Sequence, residues 1–110
     1  MKSPIPSTNL PPPEAMKCPQ SIILDVANVT GVPAANIVGR RRTTGVVFAR
    51  FLAVAAIKKE FPFYSLSDLA FCVRRRDHGS AKNSLIQFQN LCDTDPKFRA
   101  MARELGLIQP

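Results

Sequence analysis

Apolar residues recur along this chain at intervals of three and four, in short segments separated by glycines, prolines and arginine runs. That spacing gathers them on one face of an α-helix. Ile22, Ile23, Val26, Ala27 and Val29 predict a first helix, with Ser21 able to cap it and Thr30-Gly31 to end it. After Val32-Pro33, Ala34 to Val38 reads as a short second helix with Ile37 and Val38 inward and Gly39 as its stop. A third helix is expected over about 46 to 60, capped by Thr43 or Thr44 and ended by Pro62. Its core residues would be Val47, Phe51, Val54, Ala55 and Ile57, with Arg50, Lys58 and Lys59 on or near the outer face. Ser65 with Asp68 resembles a capping box, and Leu66, Leu69, Ala70 and Val73 give the fourth helix its stripe. Ala81, Leu85, Phe88 and Cys92 line a fifth helix, and Phe98, Met101, Ala102 and Leu105 a sixth, from Pro96 to Leu105, stopped by Gly106. No alternation of period two is sustained, and no Asn-Gly or Asp-Gly turn occurs. The expected fold is all-α, with six helices over residues 20–110.

Residues 1–19 hold six of the ten prolines, among them Pro11-Pro12-Pro13, which excludes a propagating helix or sheet there. A flexible or polyproline-like arm is expected, as a plain tail or as a docking segment for a protein partner. The remaining length suits one modest core and leaves no room for a second catalytic domain.

Charge changes the picture more than length does. Between Arg40 and Lys82 stand ten cationic side chains against Glu60, Asp68 and Asp77, which is the whole net excess of +7; the rest of the chain holds five of each sign. Concentration of that kind is the footprint of a nucleic-acid binder. Three well-separated cysteines and a single histidine provide neither a disulfide framework nor a metal site, so a reduced, metal-free cytoplasmic protein is expected. No run approaches a membrane span, and the N-terminus lacks a signal peptide's apolar core.

The most informative stretch joins both signals: Arg74-Arg75-Arg76-Asp77-His78-Gly79-Ser80-Ala81-Lys82-Asn83-Ser84. Asp77 can cap the fifth helix, accepting from first-turn N–H groups. His78, Gly79, Lys82 and Asn83 then fall on the face opposite the apolar stripe. The fourth helix turns into this stretch within about three residues, which is the helix-turn-helix pattern, its second helix presenting a polar N-terminus to a major groove. Two triple-arginine clusters, Arg40–Arg42 and Arg74–Arg76, could grip opposite sides of one groove.

Arg41-Arg42, Arg50 eight residues on, the Ser65-Leu66-x-x-Leu69 helix and above all Arg76-Asp77-His78 resemble the C-terminal origin-binding domain of the bacterial replication initiator DnaA, a Trp-repressor-like helix-turn-helix. The resemblance covers about residues 20 to 106. It implies binding to short asymmetric duplex elements, with Arg42 in the minor groove, Arg50, Lys58 and Arg76 on phosphates or groove edges, and Asp77 and His78 on bases. The DNA-contacting set expected is Arg41, Arg42, Arg50, Lys58, Arg75, Arg76, Asp77, His78, Gly79, Ser80, Lys82 and Asn83. Where the family usually has Thr-Thr-Val after the histidine, this chain has Gly79-Ser80-Ala81, and Arg74-Arg75 stand at the family's usual Gly-Gly.

No Gly-x-x-x-x-Gly-Lys-Ser/Thr phosphate loop is present, so no nucleotide or other cofactor is expected and the family's ATP-driven step is excluded. The proline-rich start favours a small stand-alone relative over an excised domain. Its expected place is the bacterial nucleoid, and its expected role DNA replication initiation or its regulation, with a stand-alone transcriptional regulator as the alternative. An RNA- or single-strand-binding module would want exposed aromatics, and the phenylalanines read as buried. An enzyme is not expected, because no nucleophile or second carboxylate stands near His78.

Overall fold

The computed structural model describes residues 18–108. Six helices follow one another: α1 (Pro19–Thr30), α2 (Ala34–Ile37), α3 (Thr44–Glu60), α4 (Leu66–Cys72), α5 (His78–Thr94) and α6 (Pro96–Glu104). No strand occurs among the described residues, so the chain is all-α as its periodicity predicts. The expected arm lies outside the described residues except at its last two positions, where the expectation fails. Pro19 opens α1 and Cys18 takes the N-cap position, so Ser21 is not the cap. Proline's fixed φ and missing N–H suit the first helical position. Gly31, with φ 77°, closes α1 by a bond from its N–H to Ala27 O.

The central helix is α3, which packs against α1, α2, α4 and α5. Its burial departs from the expected stripe. Val54, Ala55 and Ile57 are buried as expected, but so are Val46, Ala49, Leu52, Ala53 and Ala56, while Val47 and Phe51 are only half-buried. Four alanines let neighbouring helices approach from several sides, so no single stripe describes this helix. It begins at Thr44, earlier than expected, with Thr43 in the N-cap position but making no side-chain cap bond. Around it Ile22, Ile23, Val26, Ile37, Leu69, Val73, Phe98 and Ala102 complete one continuous core.

The start of α4 is a capping box: Asp68 N donates to Ser65 Oγ at 3.1 Å, and Ser65 N to Asp68 Oδ2 at 3.0 Å. Its end has a feature the sequence pattern did not foretell. Arg74 adopts φ 59°, the left-handed region, while its N–H reaches Phe71 O and the Arg75 N–H reaches Ala70 O. These two bonds form the chain reversal that glycine usually supplies at a helix end. Five residues, not three, therefore separate α4 from α5. At the other end of α5, Arg99 donates to Cys92 O at 2.6 Å and Asp93 O at 3.1 Å, satisfying two carbonyls that the helix leaves unpaired. Burial pushes the Cys72 and Cys92 thiols up, reinforced by Asp68 and Asp93 respectively, which keeps both protonated at neutral pH.

Candidate nucleic-acid interface

Helices α4 and α5 pack on one another across the Val73–Asp77 turn, with α5 also held by α3 and α6. Helix α5 is thus held by three other helices. Ala81, Ser84 and Cys92 are its buried residues, Leu85 and Phe88 being half-buried. Asp77 caps it as expected, Oδ1 accepting from Gly79 N at 2.9 Å. Among the described residues Oδ2 accepts no hydrogen bond, so one carboxylate oxygen remains for a partner. His78, Lys82 and Asn83 are exposed, and Gly79 and Ser80 half-exposed, so the first turns of α5 present an outward polar face.

The arginines divide into two groups that their sequence clusters do not reveal. Arg40, Arg41, Arg42, Arg74 and Arg76 are exposed. Arg50 is not: only 6 % of its surface is accessible. Its Nε donates to Ile37 O at 2.8 Å, and Nη2 lies 3.1 Å from both Gly39 O and Arg41 O, with Asn36 O at 3.4 Å. The expectation that Arg50 lies on the outer face and grips phosphate is thus corrected. Its planar fork spans the carbonyls between α2 and α3 and fixes the segment from which Arg40–Arg42 project. Burial, and then the neighbouring Arg75 and Arg42 charges, push its pKa down from the usual arginine value.

Arg75 does similar work from the other side. It is half-buried, and its Nη2 donates to Gly39 O at 2.8 Å, a contact across 36 positions of chain. One member of the second arginine cluster, Arg75, is thereby tied to the loop that carries the first. Gly39 is required at the meeting point, because a Cβ there would come within 2.8 Å of Ala35 O. Lys58 is also committed internally, donating to Pro62 O at 3.0 Å and Tyr64 O at 3.3 Å. Lys59 bonds to Gly106 O at the far end of the core.

The result is a cleft of about 230 Å³ lined by Arg42, Arg50 and Arg75 on one side and Ser80, Asn83 and Ser84 of α5 on another. Val47 and Phe51 complete its lining of eight residues, five of which belong to the set expected from the sequence. Arg76 lies instead on a second, larger groove with Phe71 and Tyr64. The aromatic expectation also needs correcting. Phe98 is fully buried, but Phe63 and Phe71 are 79 % and 80 % exposed. Sequence periodicity had a signal for Phe71, which falls outside the Leu66, Leu69, Ala70 and Val73 stripe.

No protein-family model, curated protein or solved structure matches this chain. Among the described residues no helix is long and apolar enough to cross a membrane, and no group of three His, Cys, Asp or Glu side chains gathers to hold a metal ion.

Proposed function

We propose that this chain is a helix-turn-helix domain that binds duplex DNA sequence-specifically. Helix α5 enters the major groove, and the Arg40–Arg42 loop follows the adjacent backbone into the minor groove. One observation carries this reading: Arg50 and Arg75 spend their donors on the loop carbonyls, which holds Arg42 beside Ser80 and Asn83 of α5. Fixing a cationic loop next to an exposed polar helix start provides phosphate grip and base readout on one rigid surface.

Within that class, Arg76-Asp77-His78 supports a reading as an origin-binding domain of the DnaA type, acting in replication initiation or its regulation by binding alone. Asp77 Oδ2 can accept from a cytosine amino group while Oδ1 caps α5, and His78 meets the neighbouring base edge. Arg42 suits the narrow, negative minor groove of A·T-rich flanks.

Selection of bound sites from random duplexes tests this. A defined motif is expected, and His78→Ala should relax one position of it, costing about 1–3 kcal/mol on the best site and little on nonspecific DNA. Recovery of no motif from the unaltered protein would sink the reading.

A further inference from the structure

A second groove, of about 630 Å³, opens between the start of α1 and the turn after α4. Tyr64 and Phe71 line it together with Arg74, Arg75 and Arg76. A lone exposed phenylalanine needs no explanation. Here, however, a ring that is 80 % accessible shares a groove with a second aromatic and three cations.

The walls are also pre-formed. Tyr64 stacks on Phe61 with centroids 4.8 Å apart and planes 13° from parallel, and Phe63 meets Tyr64 edge-on at 5.3 Å. Lys58 ties the loop between α3 and α4 by the Pro62 and Tyr64 carbonyls. The left-handed Arg74 turns the chain back past the end of α4, and the arginine triplet lines the same groove as Phe71. Backbone strain held at such a place points to use rather than to packing.

We propose that this groove binds a single-stranded nucleic-acid segment, with Phe71 and Tyr64 stacking bases and Arg74 and Arg76 holding phosphates. Base faces stack on aromatic rings without regard to sequence, and a cationic margin tracks the backbone, which is the combination such segments require. The site goes beyond duplex recognition and uses a face that Asp77, His78 and Asn83 do not line.

The protein has one tyrosine and no tryptophan, so its intrinsic emission reports Tyr64 alone. Oligothymidylate or oligouridylate of about 12 nucleotides, within the usual span of such sites, is expected to bind the full chain and quench that emission. Comparing the two oligomers tells DNA from RNA. Inorganic polyphosphate of equal charge should leave the emission unchanged. Phe71→Ala, at a position too exposed to matter for folding, should weaken oligomer binding at least fivefold while leaving the circular dichroism and the affinity for a selected duplex intact. Phe71→Trp should restore binding and report it by quenching of its own emission. Equal oligomer affinity in Phe71→Ala, or equal quenching by polyphosphate, overturns the proposal. So does a larger loss for polyglutamate than for oligothymidylate in Phe71→Ala, which would make the groove a dock for an acidic protein segment. Loss of the duplex motif alone would count only against the duplex reading, because Phe71 takes no part in it.

Discussion

Arg74 carries a conformation that its side chain disfavours. A non-glycine residue at φ 59° bears a penalty of about 1 kcal/mol, because its Cβ crowds the following carbonyl. Glycine stands at this point in the resembled family, and arginine here trades stability for a cation. Arg74→Gly should therefore raise unfolding stability by about 0.5–1 kcal/mol, read as a shifted denaturant midpoint, while weakening oligothymidylate binding through one lost phosphate contact. A drop in stability would show that the turn relies on the arginine side chain. Arg50 is the opposite case, a cation consumed by structure. A lysine has one compact ammonium and cannot span the carbonyls from Asn36 to Arg41, so Arg50→Lys should cost about 1–3 kcal/mol. Amide exchange should quicken through residues 38–42 while α5 keeps its protection. Unchanged exchange in that loop would mean that Arg50 does not hold it.

Helix α5 reads DNA, on our proposal, through its first two turns, where Gly79 occupies the place of a threonine usual in the resembled family. Restoring the methyl and hydroxyl should sharpen one thymine position in selected sites, by about 1 kcal/mol. Helix propensity also favours replacing glycine, by roughly 0.5 kcal/mol or more. The structure opposes that second gain. A Cβ at this position would lie 3.3 Å from Asp77 Oδ1, the atom that accepts the Gly79 N–H. The cap must therefore shift by a few tenths of an ångström, and the expected outcome for Gly79→Thr is sharper site preference with little net change in thermal stability. A site preference identical to that of the unaltered protein would remove α5 from the groove. Glycine at this position thus keeps the cap undisturbed at the expense of one base contact.

For the whole molecule, the surface cations decide how binding responds to salt. Arg50, Arg75 and Lys58 are occupied by backbone carbonyls, which leaves Arg40, Arg41, Arg42 and Lys82 exposed for duplex phosphates, while Arg74 and Arg76 line the second groove. With about four contacts of this kind engaged, the log K of duplex binding should fall against log salt with a slope near −3.6. Arg41→Ala should reduce that slope by about 0.9, whereas Arg50→Lys should lower affinity and leave the slope where it was. Binding indifferent to salt would exclude a phosphate-gripping role for this surface altogether.

The helices, the caps of α4 and α5 and the outward face of α5 were legible in the sequence because they depend on residues no more than four apart: Ser65 with Asp68, Asp77 with Gly79, and the stripe from Ala81 to Cys92. Local hydrogen bonds and the helical period fix such features before any packing occurs. Only the tertiary structure decided which cations are free. Arg50 meets carbonyls 9 to 14 positions away, and Arg75 meets one 36 positions away. A guanidinium looks the same in sequence whether carbonyls or water surround it. Phe71 already stood outside the apolar stripe of α4 in the sequence, but packing decided that no other helix among the described residues buries it.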